Sequence, residues 1–175
     1  MSGGSYFRLL QHPDRSIVLS LIGIVRTPAT DDEIRARASD IISEIQIFPE
    51  FREGLDGVER YSHIFVIAYF HKLRREQIGP LKVQPRGLLR SGYDLKDIPF
   101  LGVLSLDSPT RPNPIGLTLA KLHEVKDGTL RVSNLDYFDG TPVLDIKPYR
   151  SIYRVEEFSA PSSRAEITRR SKDLS

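Results

Sequence analysis

The run Ser108-Pro109-Thr110-Arg111-Pro112-Asn113-Pro114 carries the strongest chemical signal in this chain. Its three prolines fix φ and remove three backbone donors, which excludes helix and central strand and leaves a stiff, extended loop. Such a loop holds Arg111 and Asn113 in one geometry at little entropic cost. A planar guanidinium bonds a carboxylate in two places, so Arg111 suits an acidic partner inside a site or an acidic group on a ligand. The plain alternative is a rigid connection between two strands. Asp136 and Asp139 bracket a second turn, Asp136-Tyr137-Phe138-Asp139, where aspartates commonly bond their own backbone. Asp145, Lys147 and Tyr149 alternate along one stretch and so project to one face. A basic or hydrogen-bonding residue there can take up a proton. An ion pair between Lys147 and Asp145 is the competing reading.

These residues need a frame, and the apolar pattern supplies mainly strands. Residues 17–25 are rich in Ile, Val and Leu and predict a buried strand. Residues 28–40 are charged and Ala-rich, with Asp31 or Asp32 as N-cap of a short helical turn before Ile34. Residues 41–48 alternate with Ile45 and Ile47 on one face, and the nearly continuous apolar run 61–70 predicts the central strand. An irregular strand broken at Pro85 is expected over 81–89, with further strands over 100–106 and 115–125. Asp127-Gly128 is a hairpin signal because both residues tolerate positive φ. The chain returns over 129–135, and a last short strand over 143–146 stops at Pro148. About seven short strands with few helix patterns argue for a mainly all-β fold. A compact closed β-barrel with short helical connections is preferred, since closure removes open edges. Residues 1–15 read as a flexible N-terminal arm, 16–150 as the barrel domain and 151–175 as a C-terminal tail.

Composition narrows the function classes. A chain of 175 residues can bury a real core, and its net charge of +2 does not by itself announce a nucleic-acid binder. The absence of cysteine excludes disulfides and thiolate metal sites. His12, His63, His71 and His123 show no metal-ligand spacing, so no metal is expected. No apolar run is long enough to span a bilayer, and Met1-Ser2-Gly3-Gly4-Ser5 lacks the basic-then-apolar order of a signal peptide. A soluble cytoplasmic protein without membrane contact is the expectation. Tyr61, Phe65, Tyr69 and Phe70 lie at core spacing, which argues against a plain RNA-binding barrel.

The proline run, taken with Asp-Tyr-Phe-Asp-Gly-Thr-Pro-Val-Leu-Asp-Ile-Lys-Pro-Tyr at 136–149, resembles the TsaA/TrmO-type (YaeB-like) family of S-adenosylmethionine-dependent tRNA methyltransferases. Three upstream blocks extend the resemblance. Ile22-Gly23-Ile24-Val25-Arg26-Thr27-Pro28 looks like the family's opening strand. Ile45-Gln46-Ile47-Phe48-Pro49-Glu50-Phe51 and Tyr61-Ser62-His63-Ile64-Phe65 through Phe70-His71 look like its second and third blocks. Five blocks in family order over roughly residues 18 to 150 make a specific signal. The resemblance implies a barrel, usually homodimeric, that binds S-adenosylmethionine without a Rossmann fold, and indeed no Gly-x-Gly-x-x-Gly follows a strand. It implies methylation of the exocyclic amine of a threonylcarbamoyl-modified adenosine beside the tRNA anticodon. The methyl group arrives already activated, so the protein mainly positions donor and acceptor. On the matching positions, the family places His71, Lys72, Leu117, Asp136, Tyr137, Phe138 and Asp139 at the cofactor. Arg111 and Asn113 fall on its Arg-Pro-Asn-Pro motif, where the threonylcarbamoyl carboxylate gives an arginine something to read and Asn113 a base edge or loop carbonyl. Arg111, Asp145, Lys147 and Tyr149 are the catalytic candidates.

Two departures stand out. Where the family commonly has an arginine in Ala-Thr-Arg-Ser-Pro-His-Arg-Pro-Asn-Pro, this chain has Asp107, a reversed charge near the expected cofactor site, with Arg86 and Arg90 as candidates to compensate. The family's Pro-Arg-Gln motif after the first strand is missing, and that region reads Glu33-Ile34-Arg35-Ala36-Arg37. Residues 150–175 are too short to form the C-terminal extension of longer members. The alternatives are therefore the same chemistry on a different acceptor, or a cofactor-binding protein of this fold without catalysis.

Overall fold

A computed structural model describes residues 17–160; the expected arm at 1–15 and the tail beyond 160 lie outside the described residues. The elements in chain order are β1 (Gly23–Arg26), α1 (Asp31–Arg37), β2 (Ile42–Ile47), β3 (His63–Tyr69), β4 (Lys82–Val83), β5 (Leu101–Gly102), β6 (Ile115–Lys126), β7 (Thr129–Ser133) and β8 (Pro142–Pro148), joined by short 3-10 turns. They fall into two compact units, one running to His71 and resuming over Ile115–Arg150, the other made of Lys72–Pro114 and the segment from Ser151.

The first unit is a closed antiparallel barrel in the order β1-β2-β7-β6-β3-β8, with β8 returning to β1. Period-2 alternation builds it. On β3, Ile64, Val66 and Ala68 point inward and are fully buried, while His63, Phe65, Ile67 and Tyr69 point outward. Val25, Ile45, Leu130 and Val132 meet them from the other strands, also at 0% exposure. Each such aliphatic side chain contributes about 1.5–3 kcal/mol on burial. β3 pairs with β6 from His63↔Lys121 to Tyr69↔Ile115 and with β8 on its other side, as expected of the central strand. The predicted hairpin is present: Asp127 and Gly128 have φ of 50° and 79° between β6 and β7.

Three local expectations are corrected. Residues 17–22 are not a buried strand: Ile17, Val18, Leu19 and Leu21 are exposed, and β1 starts at Gly23. The ladder explains this, because β8 pairs with β1 only at Gly23 and Ile24, and apolar content without a partner strand does not make a strand. The helix cap is Thr30, not Asp31 or Asp32. The Thr30 hydroxyl accepts from Glu33 N–H, and the Glu33 carboxylate accepts from Thr30 N–H, a reciprocal capping box. Asp31 and Asp32 instead occupy the first turn, where their charge suits the helix dipole.

The third correction concerns the second unit. The strands expected over 81–89 and 100–106 shrink to the two-residue pair β4–β5. Pro85 ends the first and a 3-10 turn follows from Arg86, while a 3-10 turn over Val103–Ser105 ends the second. Leu88, Ile98, Leu101 and Val103 are buried here. The Gln84 amide ties the loop down by donating to the carbonyls of Leu95 (3.2 Å) and Ile98 (2.8 Å).

Candidate functional site

One end of the barrel is closed by the segment between β7 and β8. Asn134 turns the chain with φ of 59° and donates from its side-chain amide to the Leu119 carbonyl at 2.9 Å. Alternation then sends Leu135 and Tyr137 inward and Asp136 outward. Tyr137 is 2% exposed, its hydroxyl donates to the Val66 carbonyl at 3.0 Å, and its ring meets Phe70 edge-on at 6.1 Å. Gly116 makes room for both rings, since a Cβ there would come within 2.8 Å of each. Burial pushes the Tyr137 phenol well above its ordinary value, with a smaller push from Asp136 opposed by Thr118. The Tyr137 side chain is therefore a plug of the barrel, since period 2 turns it into the core.

The residues beside the plug point the other way. Asp136 is exposed, and its Oδ1 accepts from the Thr118 hydroxyl at 2.5 Å. The Asp139 Oδ1 accepts from Thr27 N–H at 3.1 Å, and its Oδ2 lies 3.6 Å from the Arg26 guanidinium. The Arg35 guanidinium sits 4.6 Å over the Phe138 ring, a cation–π contact that ties α1 to the acidic turn. Gly140 has φ of 76°, and its N–H donates to Val25, so the turn is pinned to β1 through its backbone as well. A Cβ at Gly140 would lie 3.9 Å from His71 Nε2, which puts the imidazole beside this turn. The barrel end thus gathers His71, Asp136, Phe138 and Asp139 at one place.

The remaining sequence candidates are distributed elsewhere. Lys72 directly follows His71 and is exposed at the start of the second unit. Leu117 faces outward from β6 at 66% exposure, so it is neither barrel core nor on the plug's side of the strand. Asp145 and Lys147 also face outward, opposite Ile67 and Phe65, after a bulge between Ile67 and Ala68 shifts the register of β8. They form an ion pair of 2.7 Å along one strand. The ion pair expected between these two side chains is thus present, within a single strand. Tyr149 packs edge-on against Phe65 at 5.7 Å and donates its N–H to His63, at the start of β3. Six residue-to-residue steps of strand take His63 to Tyr69, roughly 20 Å. Within one chain, Tyr149 and the acidic turn stand toward opposite barrel ends. In the second unit, Arg111 Nη2 donates to the carbonyls of Val103 (3.4 Å) and Leu106 (3.3 Å), clamping its own loop, and Asn113 is exposed.

Four residues of this arrangement were not singled out for it from the sequence: Arg26, Thr27, Arg35 and Thr118. Thr118 was within reach, because a strand that turns Leu117 outward must turn its neighbour inward. Nothing in the sequence pairs Arg35 with Phe138, or Arg26 with Asp139, across more than a hundred residues.

A family model described as the tRNA-methyltransferase O N-terminal domain matches residues 33–153. A probable S-adenosyl-L-methionine-binding protein of Methanothermobacter thermautotrophicus is 42% identical over 139 residues, 78% of this chain and 92% of that protein. A tRNA (adenine(37)-N6)-methyltransferase of Homo sapiens is 41% identical over 118 residues, 67% of this chain and 24% of that enzyme. A crystal structure of TrmO from Pseudomonas aeruginosa superposes with a TM-score of 0.63 at 27% identity, over 85% of this chain and 63% of that one. The chain thus spans less than two thirds of the solved TrmO chain and about a quarter of the human enzyme.

Proposed function

Since the chain belongs to the tRNA-methyltransferase O N-terminal domain family, we propose that it is an S-adenosylmethionine-dependent tRNA (adenine-N6)-methyltransferase acting on the exocyclic amine of threonylcarbamoyl-modified adenosine beside the anticodon. The observation that carries this reading is the acidic turn pinned at the barrel end with His71 beside it. Two outward carboxylates suit a ligand bearing a sulfonium and an ammonium group, and the donor set fits. S-adenosylmethionine, when bound, supplies the activated methyl group. Asp136 and Asp139 hold the cationic parts and the hydroxyls, Phe138 offers an apolar wall, and His71, with Lys72 next to it in the chain, completes the polar rim. Thr118 and the Arg26–Thr27 pair keep both carboxylates in place, so little reorganisation is needed on binding.

Leu117 joins this reading through a second copy. Ile115, Leu117 and Tyr69 form an exposed apolar strip on the outer face of β6 and β3, and a homodimer through that face covers it. Arg111 and Asn113 read the substrate: among the described residues the Nε and Nη1 of Arg111 are not engaged, leaving them for a carboxylate. The setting is the cytoplasm, where tRNA is modified. A second reading, donor binding without transfer or with another acceptor, is favoured by Asp107 standing where the family commonly has arginine.

The test incubates the full chain with threonylcarbamoyl-modified tRNA and methyl-labelled S-adenosylmethionine, followed by mass analysis of the nucleosides. The modified adenosine is expected to gain one labelled methyl group. Donor binding without any labelled nucleoside would replace this reading with the second one.

A further inference from the structure

The second unit holds a cavity of about 710 Å³ whose lining contributes nothing to the acidic turn. Its walls come from β4, the 3-10 turn after Pro85, Phe100, and residues 106–110. Phe100 lines it at 62% exposure, a large aromatic face left open to solvent. Lys82 and Arg86 also line it and are exposed. Among the described residues neither cation meets a carboxylate, and Asp107, on the same cavity, meets no cation. The Ser108 and Thr110 hydroxyls, bonded to each other at 2.8 Å, complete a polar edge.

We propose that this cavity seats one unpaired nucleotide of the RNA, with its base on Phe100, a phosphate between Lys82 and Arg86, and Asp107 accepting from a base amine or ribose hydroxyl. The proposal rests on the RNA-directed reading above. The combination fits a single-stranded nucleotide because it offers a stacking platform together with uncompensated positive charge. It fits the methyl donor poorly: S-adenosylmethionine has no phosphate, and its sulfonium and ammonium outweigh its one carboxylate, so two free cations repel it. The volume is within the range of pockets that enclose a ligand of nucleotide size. Asp107 then reads substrate here, at the position where the family's arginine is replaced.

The test measures binding of a labelled anticodon stem-loop RNA to the full chain by fluorescence anisotropy, alongside a thermal-shift titration with S-adenosylmethionine. Phe100→Ala is expected to weaken RNA binding roughly tenfold, and Phe100→Tyr to stay within about twofold of the parent. Replacing Lys82 and Arg86 together by alanine is expected to lower the salt slope of log K by about 0.7, for the one phosphate no longer neutralised. Donor binding and melting temperature are expected to be unchanged, since all three side chains are exposed. Unchanged RNA affinity and salt slope in these variants overturn the proposal, and so does a loss of donor binding in Phe100→Ala, which would give the cavity to the cofactor. If the parent binds RNA with this pattern but transfers no methyl group, the cavity assignment stands and the reaction falls. If it transfers methyl and the variants leave KM for RNA unmoved, the reaction stands and the cavity assignment falls.

Discussion

The Tyr137 hydroxyl donates to the Val66 carbonyl across 3.0 Å, fastening the acidic turn to the central strand of the barrel. Asp136 and Phe138 face outward because Tyr137 faces in, so one buried phenol sets the direction of its neighbours. Tyr137→Phe removes only the hydrogen bond and is expected to cost about 1 kcal/mol in urea unfolding. Tyr137→Ala also empties the plug and is expected to cost about 3–5 kcal/mol. The sign with pH follows from the raised phenol. An unfolded tyrosine ionises near 10.0 and the folded one higher, so this contribution is complete below pH 10 and is lost as pH rises above it. Stability should fall on the alkaline side in the parent, and that part of the fall should be absent in Tyr137→Phe.

Gly116 is the counterpart of this plug. Its absent side chain is the space that Phe70 and Tyr137 fill, with ring atoms 2.8 Å from where a Cβ would be. Gly116→Ala is expected to destabilise by about 1–3 kcal/mol through overpacking, although alanine suits a strand better than glycine does. An unchanged unfolding midpoint would show that the two rings are free to give way.

Ser43 lies inside the barrel on β2 at 1% exposure, and its hydroxyl has no hydrogen-bond partner among the described residues. A buried polar group without a partner costs folding free energy. Ser43→Ala is therefore expected to leave stability unchanged or to raise it by up to about 1 kcal/mol. A drop in stability of more than that in thermal or chemical unfolding would reveal a partner for the hydroxyl.

Glu33 reports on the capping box of α1. Hydrogen bonds from the Thr30 backbone and then the Thr30 hydroxyl lower its carboxyl below the usual 4.5. A depressed carboxyl contributes stability above its unfolded value, and that contribution is lost as pH falls through 4.5 toward the folded value. Proton-detected titration of Glu33 is expected to show a midpoint below 4.5 that returns toward it in Thr30→Ala. A parent midpoint at 4.5 would mean that the box is open in solution.

The barrel was legible in the sequence where a strand has two partners and a one-sided pattern. Ile45 and Ile47 on β2, and the apolar run of β3, needed only period 2 to be placed. Residues 17–22 have the composition of a strand, but among the described residues no strand pairs with them, a fact of tertiary pairing. The second unit was illegible for a different reason: 3-10 turns of three to six residues carry no periodicity to read. In the site, the outward acids were visible as residue types, but the inward turn of Tyr137 depends on where Asn134 ends the β7 ladder. The bulge in β8 likewise decides the side on which Asp145 and Lys147 emerge, and it is set by pairing with β3.

Calorimetric titration of S-adenosylmethionine into the parent, Asp136→Asn, Asp139→Asn and Asp145→Asn tests most directly whether the acidic turn holds the methyl donor. Removing one charge from the turn is expected to weaken binding roughly tenfold to a hundredfold. Asp145→Asn, on the outer face of β8, is expected to bind as the parent does. Parent-like affinity in both Asp136→Asn and Asp139→Asn would contradict the assignment and place the donor away from this end of the barrel.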